Sequence, residues 1–137
     1  SRSARTGART RALSRNSVIP AEDAPVYKLL RADEWEKARP QTHFQGSPVD
    51  LADGFIHFST AAQARETAAR HFAGTGELVL AEVDPKRLVA PLKWEPSRGG
   101  QLFPHLYSSL PIAAITRTWT LSLGADGRHV FPHELED

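Results

Sequence analysis

Apolar and polar positions alternate over several short stretches of the chain, beginning with Val26-Tyr27-Lys28-Leu29-Leu30. Successive side chains on a strand point to opposite faces, so such a run predicts a short β-strand. Asp33 then stands where a helix cap is expected, with Glu34 to Arg39 helical and Pro40 as the stop. From Pro40 to Asp53 no period is visible and Gly46-Ser47-Pro48 interrupts the chain, which predicts a long loop of the kind that walls or covers a pocket. The run from Gly54 to Ser59 reads as a strand with Phe55, His57 and Ser59 on one face and Ile56 and Phe58 on the other. Ser59 or Thr60 caps an alanine-rich helix from Ala61 to Phe72, and Gly74 follows as its stop signal.

Further along, Glu77 to Asp84 alternates as an interior strand, and Asp84-Pro85 opens a turn. Leu92 to Glu95 is a short extended piece closed by Pro96, and Phe103 to Tyr107 is a second one that places Phe103, His105 and Tyr107 on one face. Ile112 to Leu123 is rich in β-branched and aromatic residues and predicts a long strand. Ala125-Asp126-Gly127-Arg128 is a hairpin turn that lets His129-Val130-Phe131 return antiparallel. Many short strands and two helices, without regular alternation, predict an α+β fold with a largely antiparallel sheet rather than a doubly wound parallel one.

A chain of 137 residues with 40% hydrophobic content suits one domain, expected over residues 25–133, with a basic tail at 1–24 and an acidic, fraying tail at 134–137. Arg2, Arg5, Arg9, Arg11 and Arg15 all fall in the first tail, whose composition fits a transit peptide, a disordered basic arm or a leader without function. Without those five, 12 basic residues face 16 acidic ones, a formal charge of −4 that argues against nucleic acid as a partner. Cysteine is absent, which excludes disulfides, thiolate metal sites and thiol nucleophiles. No apolar run approaches the roughly 20 residues of a membrane span, and the expected setting is cytoplasmic. The oligomeric state is not legible.

His57 and Ser59 lie on one strand face about 7 Å apart, a spacing suited to holding two ends of one polar ligand. His57 amid Phe55, Ile56 and Phe58 is equally well read as a packed residue bonded to backbone. A Ser/His hydrolase would want an orienting carboxylate and an exposed nucleophile turn, and no such turn is present. His105 and Tyr107 repeat the motif, the tyrosine suited either to stacking on a planar ring or to capping a cavity. Glu95 is a candidate general base or ribose-binding carboxylate, and Arg98 before Gly99-Gly100 a candidate phosphate contact. His43, His57, His71 and His105 lack the spacings of a metal site, so no metal is expected. The expected catalytic set is thus His57, Glu95 and His105, with Lys28, Ser59, Trp94, Arg98 and Tyr107 binding substrate.

Four separated motifs resemble a known family. Tyr27-Lys28-Leu29-Leu30 with Trp35, Val49 to Thr60, Leu92 to Glu95, and Phe103 to Tyr107 together resemble the bacterial family called domain of unknown function 952, over about residues 25 to 132. More distantly, that family is similar to a compact ADP-ribosyltransferase-like fold, in which a split antiparallel sheet binds NAD. Under that resemblance Tyr27-Lys28 falls where such enzymes often have Tyr-His on the first strand, and Ile56 to Ser59 looks like the histidine strand of the RNA 2′-phosphotransferase branch. The resemblance implies a nucleotide-like small-molecule ligand, NAD as a possible substrate and no other required cofactor. It further implies a ring held against Tyr107, ribose or phosphate oxygens fixed by His57, Ser59 and His105, and Glu95 stabilising charge at the anomeric carbon. The alternatives are a non-catalytic nucleotide-binding protein and a small hydrolase.

Overall fold

The computed structural model describes residues 24–135; the tail expected at 1–24 falls, but for its last residue, outside that range. The fold is α+β, with every strand pairing antiparallel. One three-stranded sheet runs β1 (Val26–Arg31), β4 (Leu78–Val83) and β8 (Ile115–Leu121), with β4 in the centre. The other runs β3 (Ile56–His57), β6 (Leu102–Leu106) and β5 (Lys93–Pro96), and β2 (His43–Phe44) pairs with β7 (Leu110–Pro111) as a small ribbon. Reciprocal backbone bonds of 2.8 Å between Tyr27 and Ser59 join the two three-stranded sheets.

Alternation on β1 and β4 sorts the core into two layers. Tyr27, Leu29, Leu78 and Leu80 pack with Ala64 and Ala68 of α3 (Ala61–His71) and with Leu121 and Leu135. Val26, Leu30, Ala81 and Val83 face the other way, against Ile56, Phe58, Leu106 and Leu110, with Trp35 of α1 (Ala32–Ala38) at the margin. Alanines on α3 let that helix sit close to the sheet, and Thr60 starts it. Its hydroxyl accepts from the Gln63 amide at 3.2 Å while the Gln63 side chain accepts from the Thr60 amide at 3.0 Å.

The structure departs from the sequence expectations in definite places. Among the described residues three α-helices stand where two were expected, because the segment read as a loop from Pro40 to Asp53 holds β2 and a third helix, α2 (Pro48–Asp53). Pro48 opens α2 and Asp50 accepts the Ser47 amide at 2.9 Å, so the helix is nucleated by its cap and not by a periodic stripe. Helix α1 starts earlier than the expected Asp33 cap, because Glu34 reaches back to the Arg31 amide at 3.0 Å. The long strand expected from Ile112 begins at Ile115, since Ile112–Ala114 turn as a 3-10 helix and the Ala114 carbonyl accepts from Asp84. Where a fraying acidic tail was expected, His133–Leu135 form a 3-10 turn and Leu135 is buried in the α3 layer.

Candidate functional site

His57 and His105 are directly opposite each other in the β3–β6 ladder. Opposed residues in an antiparallel pair share a face, and the two rings meet edge to face with centroids 5.5 Å apart. Phe55 lies over both, stacked on His105 at 4.1 Å and tilted on His57 at 4.5 Å. The two imidazoles line one cleft of about 520 Å³, within the ~300–1,000 Å³ range of small-molecule sites. Lys28, Asp50, Asp53, Ser59 and Phe103 also line it.

Each histidine is oriented by a carboxylate on Nδ1. For His57 the partner is Asp50, with Oδ1 2.6 Å from Nδ1 and 3.2 Å from the His57 amide. Asp50 is only 1% exposed, and its other oxygen takes the Lys28 ammonium at 2.8 Å and the Ser47 amide. Burial alone would raise this carboxyl, but the His57 bond, the Lys28 charge and bond and the Ser47 amide outweigh it and hold Asp50 well below the usual carboxylate range. Lys28 is buried too; desolvation lowers its ammonium, against the opposing pull of Asp50 and, more weakly, Glu34. On the far side of the ring, His57 Nε2 is 2.9 Å from Asp53 Oδ2 at the exposed end of α2. Both contacts are hydrogen bonds at once only when both ring nitrogens carry protons.

For His105 the orienting group is Glu95, whose Oε1 lies 2.7 Å from Nδ1 and accepts the Tyr107 hydroxyl at 2.7 Å. Bonds from His105 and Tyr107 lower the Glu95 carboxyl, and the same carboxylate raises the Tyr107 phenol. The His105 side chain is only 6% exposed, and the residue lines the cleft.

The expected site residues therefore divide. Lys28, His57, Ser59 and His105 share the cleft wall, while Glu95 and Tyr107 stand behind His105. Trp94 does not reach it: opposite Pro104 in the β5–β6 ladder, it packs against the core layer of Ile56 and Leu106. Ser59 shares its hydroxyl bond with Thr67 of α3 at 3.0 Å, and not with His57, so it is not poised as a base-activated nucleophile. The Arg98 side chain lies outside what the structure describes. Among the described residues no group of three or more His, Asp or Glu side chains is arranged to hold a metal ion, and no helix is long and apolar enough to cross a membrane. Sequence reasoning missed Asp50 and Asp53 as site residues. The signal that could have found them was Ser47-Pro48-Val49-Asp50, a four-residue helix start with an acid three positions after the serine, seven residues before His57.

Three solved structures that resemble this one are all of the same protein, CC0527 from Caulobacter crescentus. Its crystal structure is 49% identical over 82% of this chain and 98% of that one, with a TM-score of 0.76. Its solution NMR structure is 52% identical over 76% and 90%, with a TM-score of 0.68. A crystal structure of a double methionine variant of the same protein agrees at 47% identity and a TM-score of 0.76. No curated protein matches the sequence. A family model described as "Protein of unknown function (DUF952)" matches residues 29–118, and the chain belongs to that family.

Proposed function

We propose that the chain binds a nucleotide-type small molecule in the cleft and acts on it by ADP-ribosyl or phosphate transfer, with His105 as the acid–base group. The observation that carries this is a histidine held by a carboxylate on Nδ1 in the wall of a cavity of about 520 Å³, an arrangement suited to an oriented general base working through Nε2. Phe58, Phe72 and Phe103 line the cleft and offer apolar surface for a planar base or nicotinamide ring. The resemblance to ADP-ribosyltransferase-like folds makes NAD the first substrate to try, with no further cofactor. Glu95 works here through His105, as a positioning residue, since it does not line the cleft.

Calorimetric titration of the full chain with NAD, ADP-ribose and AMP tests the binding half: a saturable isotherm with at least one is expected, and flat isotherms with all three reject the nucleotide reading. Glu95→Gln is then expected to keep the ligand and lose turnover by about 10²-fold or more. A non-catalytic nucleotide-binding protein is the second reading, favoured by one observation: both ring nitrogens of His57 are already held by Asp50 and Asp53. Turnover that is absent while binding persists would select it.

A further inference from the structure

Two imidazoles side by side in the wall of one cleft, each turned by a carboxylate on Nδ1, are more than a single base requires. Loss of nicotinamide from NAD gives a neutral leaving group that needs no acid. Displacement at a phosphodiester needs both a base for the attacking oxygen and an acid for the departing alkoxide. We infer that His57 and His105 form an acid–base pair for the hydrolysis of a nucleoside cyclic phosphodiester. This rests on the preceding reading that the cleft takes a nucleotide-type ligand, and narrows it to a phosphate ester.

The geometry supplies the parts. The cross-strand pairing of His57 with His105 sets the ring centroids 5.5 Å apart on one face of the ladder, so that one phosphate group bound over that face is within reach of both rings. Asp50 and Glu95 occupy the two Nδ1 atoms at 2.6 and 2.7 Å, which leaves Nε2 as the working nitrogen on both rings. On His57 that nitrogen already faces an anionic oxygen, Asp53 Oδ2 at 2.9 Å, on a side chain that is 47% exposed. Asp53 thus stands where a phosphoryl or leaving oxygen of the substrate would accept the same proton. The body of the chain is acidic, by 12 basic against 16 acidic residues beyond the first fifteen, which disfavours a polyanionic strand and favours a single cyclic nucleotide.

In the step, a water oxygen bonds to phosphorus as its proton passes to His105 Nε2. The bond from phosphorus to one ribose oxygen breaks, and that oxygen takes the proton from His57 Nε2. The products are a phosphomonoester and a free hydroxyl, with His57 left neutral and His105 protonated; exchange with solvent restores both. The groups that set the pH response are Asp50, Asp53 and His105 around His57, with Lys28 beyond Asp50, and Glu95 and His57 around His105, with Tyr107 and Lys93 beyond Glu95.

The test uses the full chain with adenosine 2′,3′-cyclic phosphate as substrate and AMP as a binding probe. Hydrolysis with a bell-shaped pH profile is expected, falling by about 10²–10⁴-fold in His57→Gln and in His105→Gln, with the alkaline limb lost in the first and the acid limb in the second. Asp53→Asn is expected to fold as the parent does and to bind AMP several-fold more tightly, because a competing anion has left the His57 Nε2 position. AMP binding without hydrolysis of the cyclic ester overturns the proposal and leaves nucleotide binding standing; failure of every nucleotide to bind overturns both. Hydrolysis that survives His57→Gln, or Asp53→Asn binding AMP no better than the parent, removes His57 from the role of acid.

Discussion

Replacing Asp50 with alanine takes away the acceptor for Lys28 at 2.8 Å, for the His57 ring at 2.6 Å and for the amides of Ser47 and His57 at 2.9 and 3.2 Å. Lys28, 5% exposed, is left with its charge and no hydrogen-bonded counter-ion, only the weaker pull of Glu34. Removing one partner of a buried ion pair costs about 3–5 kcal/mol, and the lost amide acceptors bring the total to the upper part of that range. Lys28→Met acts differently, because Asp50 keeps the imidazole and both amides and the methionine fills the volume of the lysine stem; a loss of about 0–2 kcal/mol is expected. The double variant is expected to be more stable than Asp50→Ala alone, since the stranded ammonium is gone. Urea unfolding at neutral pH, followed by the fluorescence of Trp35, Trp94 and Trp119, reads all four species. With an m-value of ~2 kcal/mol/M, Asp50→Ala moves the midpoint down by about 2 M. The pH dependence has a worked sign. Asp50 is held below its ordinary value, so its contribution is complete above the unfolded carboxylate range and is lost as pH falls through the folded value; Asp50→Ala removes that acid limb. Lys28 is lowered, so at alkaline pH the unfolded chain keeps the proton longer than the folded one, and the parent gains stability relative to Lys28→Met as pH rises toward ~10.4. Equal losses in Asp50→Ala and Lys28→Met, or strict additivity in the double variant, would refute this account of the pair.

Gly46 has φ +128°, and a Cβ there would sit 2.8 Å from Asp50 Cβ, so Gly46→Ala is expected to cost about 1–3 kcal/mol by thermal melt and to shift the His57 ring resonances in NMR. Thr60→Ala removes the cap of α3 and is expected to cost about 1 kcal/mol in the same melt. The chain has 2 tyrosines, and both phenols are raised, Tyr27 by burial and its bond to Glu82 and Tyr107 by its bond to Glu95. Ultraviolet titration is therefore expected to show no phenol ionising at the ordinary ~10 in the parent, and one returning toward it in Glu95→Gln.

Alternation along a strand is a local property, and it was enough to place His57 and Ser59 on one face, His105 and Tyr107 on another, and Leu78 and Leu80 opposite Ala81 and Val83. It could not show which strands would be neighbours; that is fixed by the in-register ladder between Ile56-His57 and Leu106-His105. Glu95 was legible as a reactive carboxylate, but its direction was not. Paired with Phe103, it lies diagonally across from His105 and turns to the imidazole rather than to the ligand. The same ladder turns Trp94, one residue away, to the opposite face and into the core. Helix α2 escaped because six residues are too few to display a helical period, and Asp50 because a lone acid in an aperiodic stretch reads as solvated until its four donors are seen together.

The buried pair has a consequence for how site and fold are joined. Two well-packed apolar residues at positions 28 and 50 would match or exceed the ion pair in stability, since the attraction between buried charges scarcely offsets their desolvation. Such a pair would still leave α2 docked, but it would give His57 Nδ1 nothing to bond and its ring no fixed rotation. Lys28 holds Asp50 ionised, Asp50 fixes the imidazole, and the Tyr27–Ser59 bridge and the 3.0 Å bond from the Phe58 amide to the Pro104 carbonyl hold the strand in the register that puts His57 opposite His105. A slip of one residue would turn every side chain on β3 to the other face and separate the two rings. The charged pair in the wall of the cleft is thus a positioning device whose cost is borne by the apolar layers on either side of the sheet.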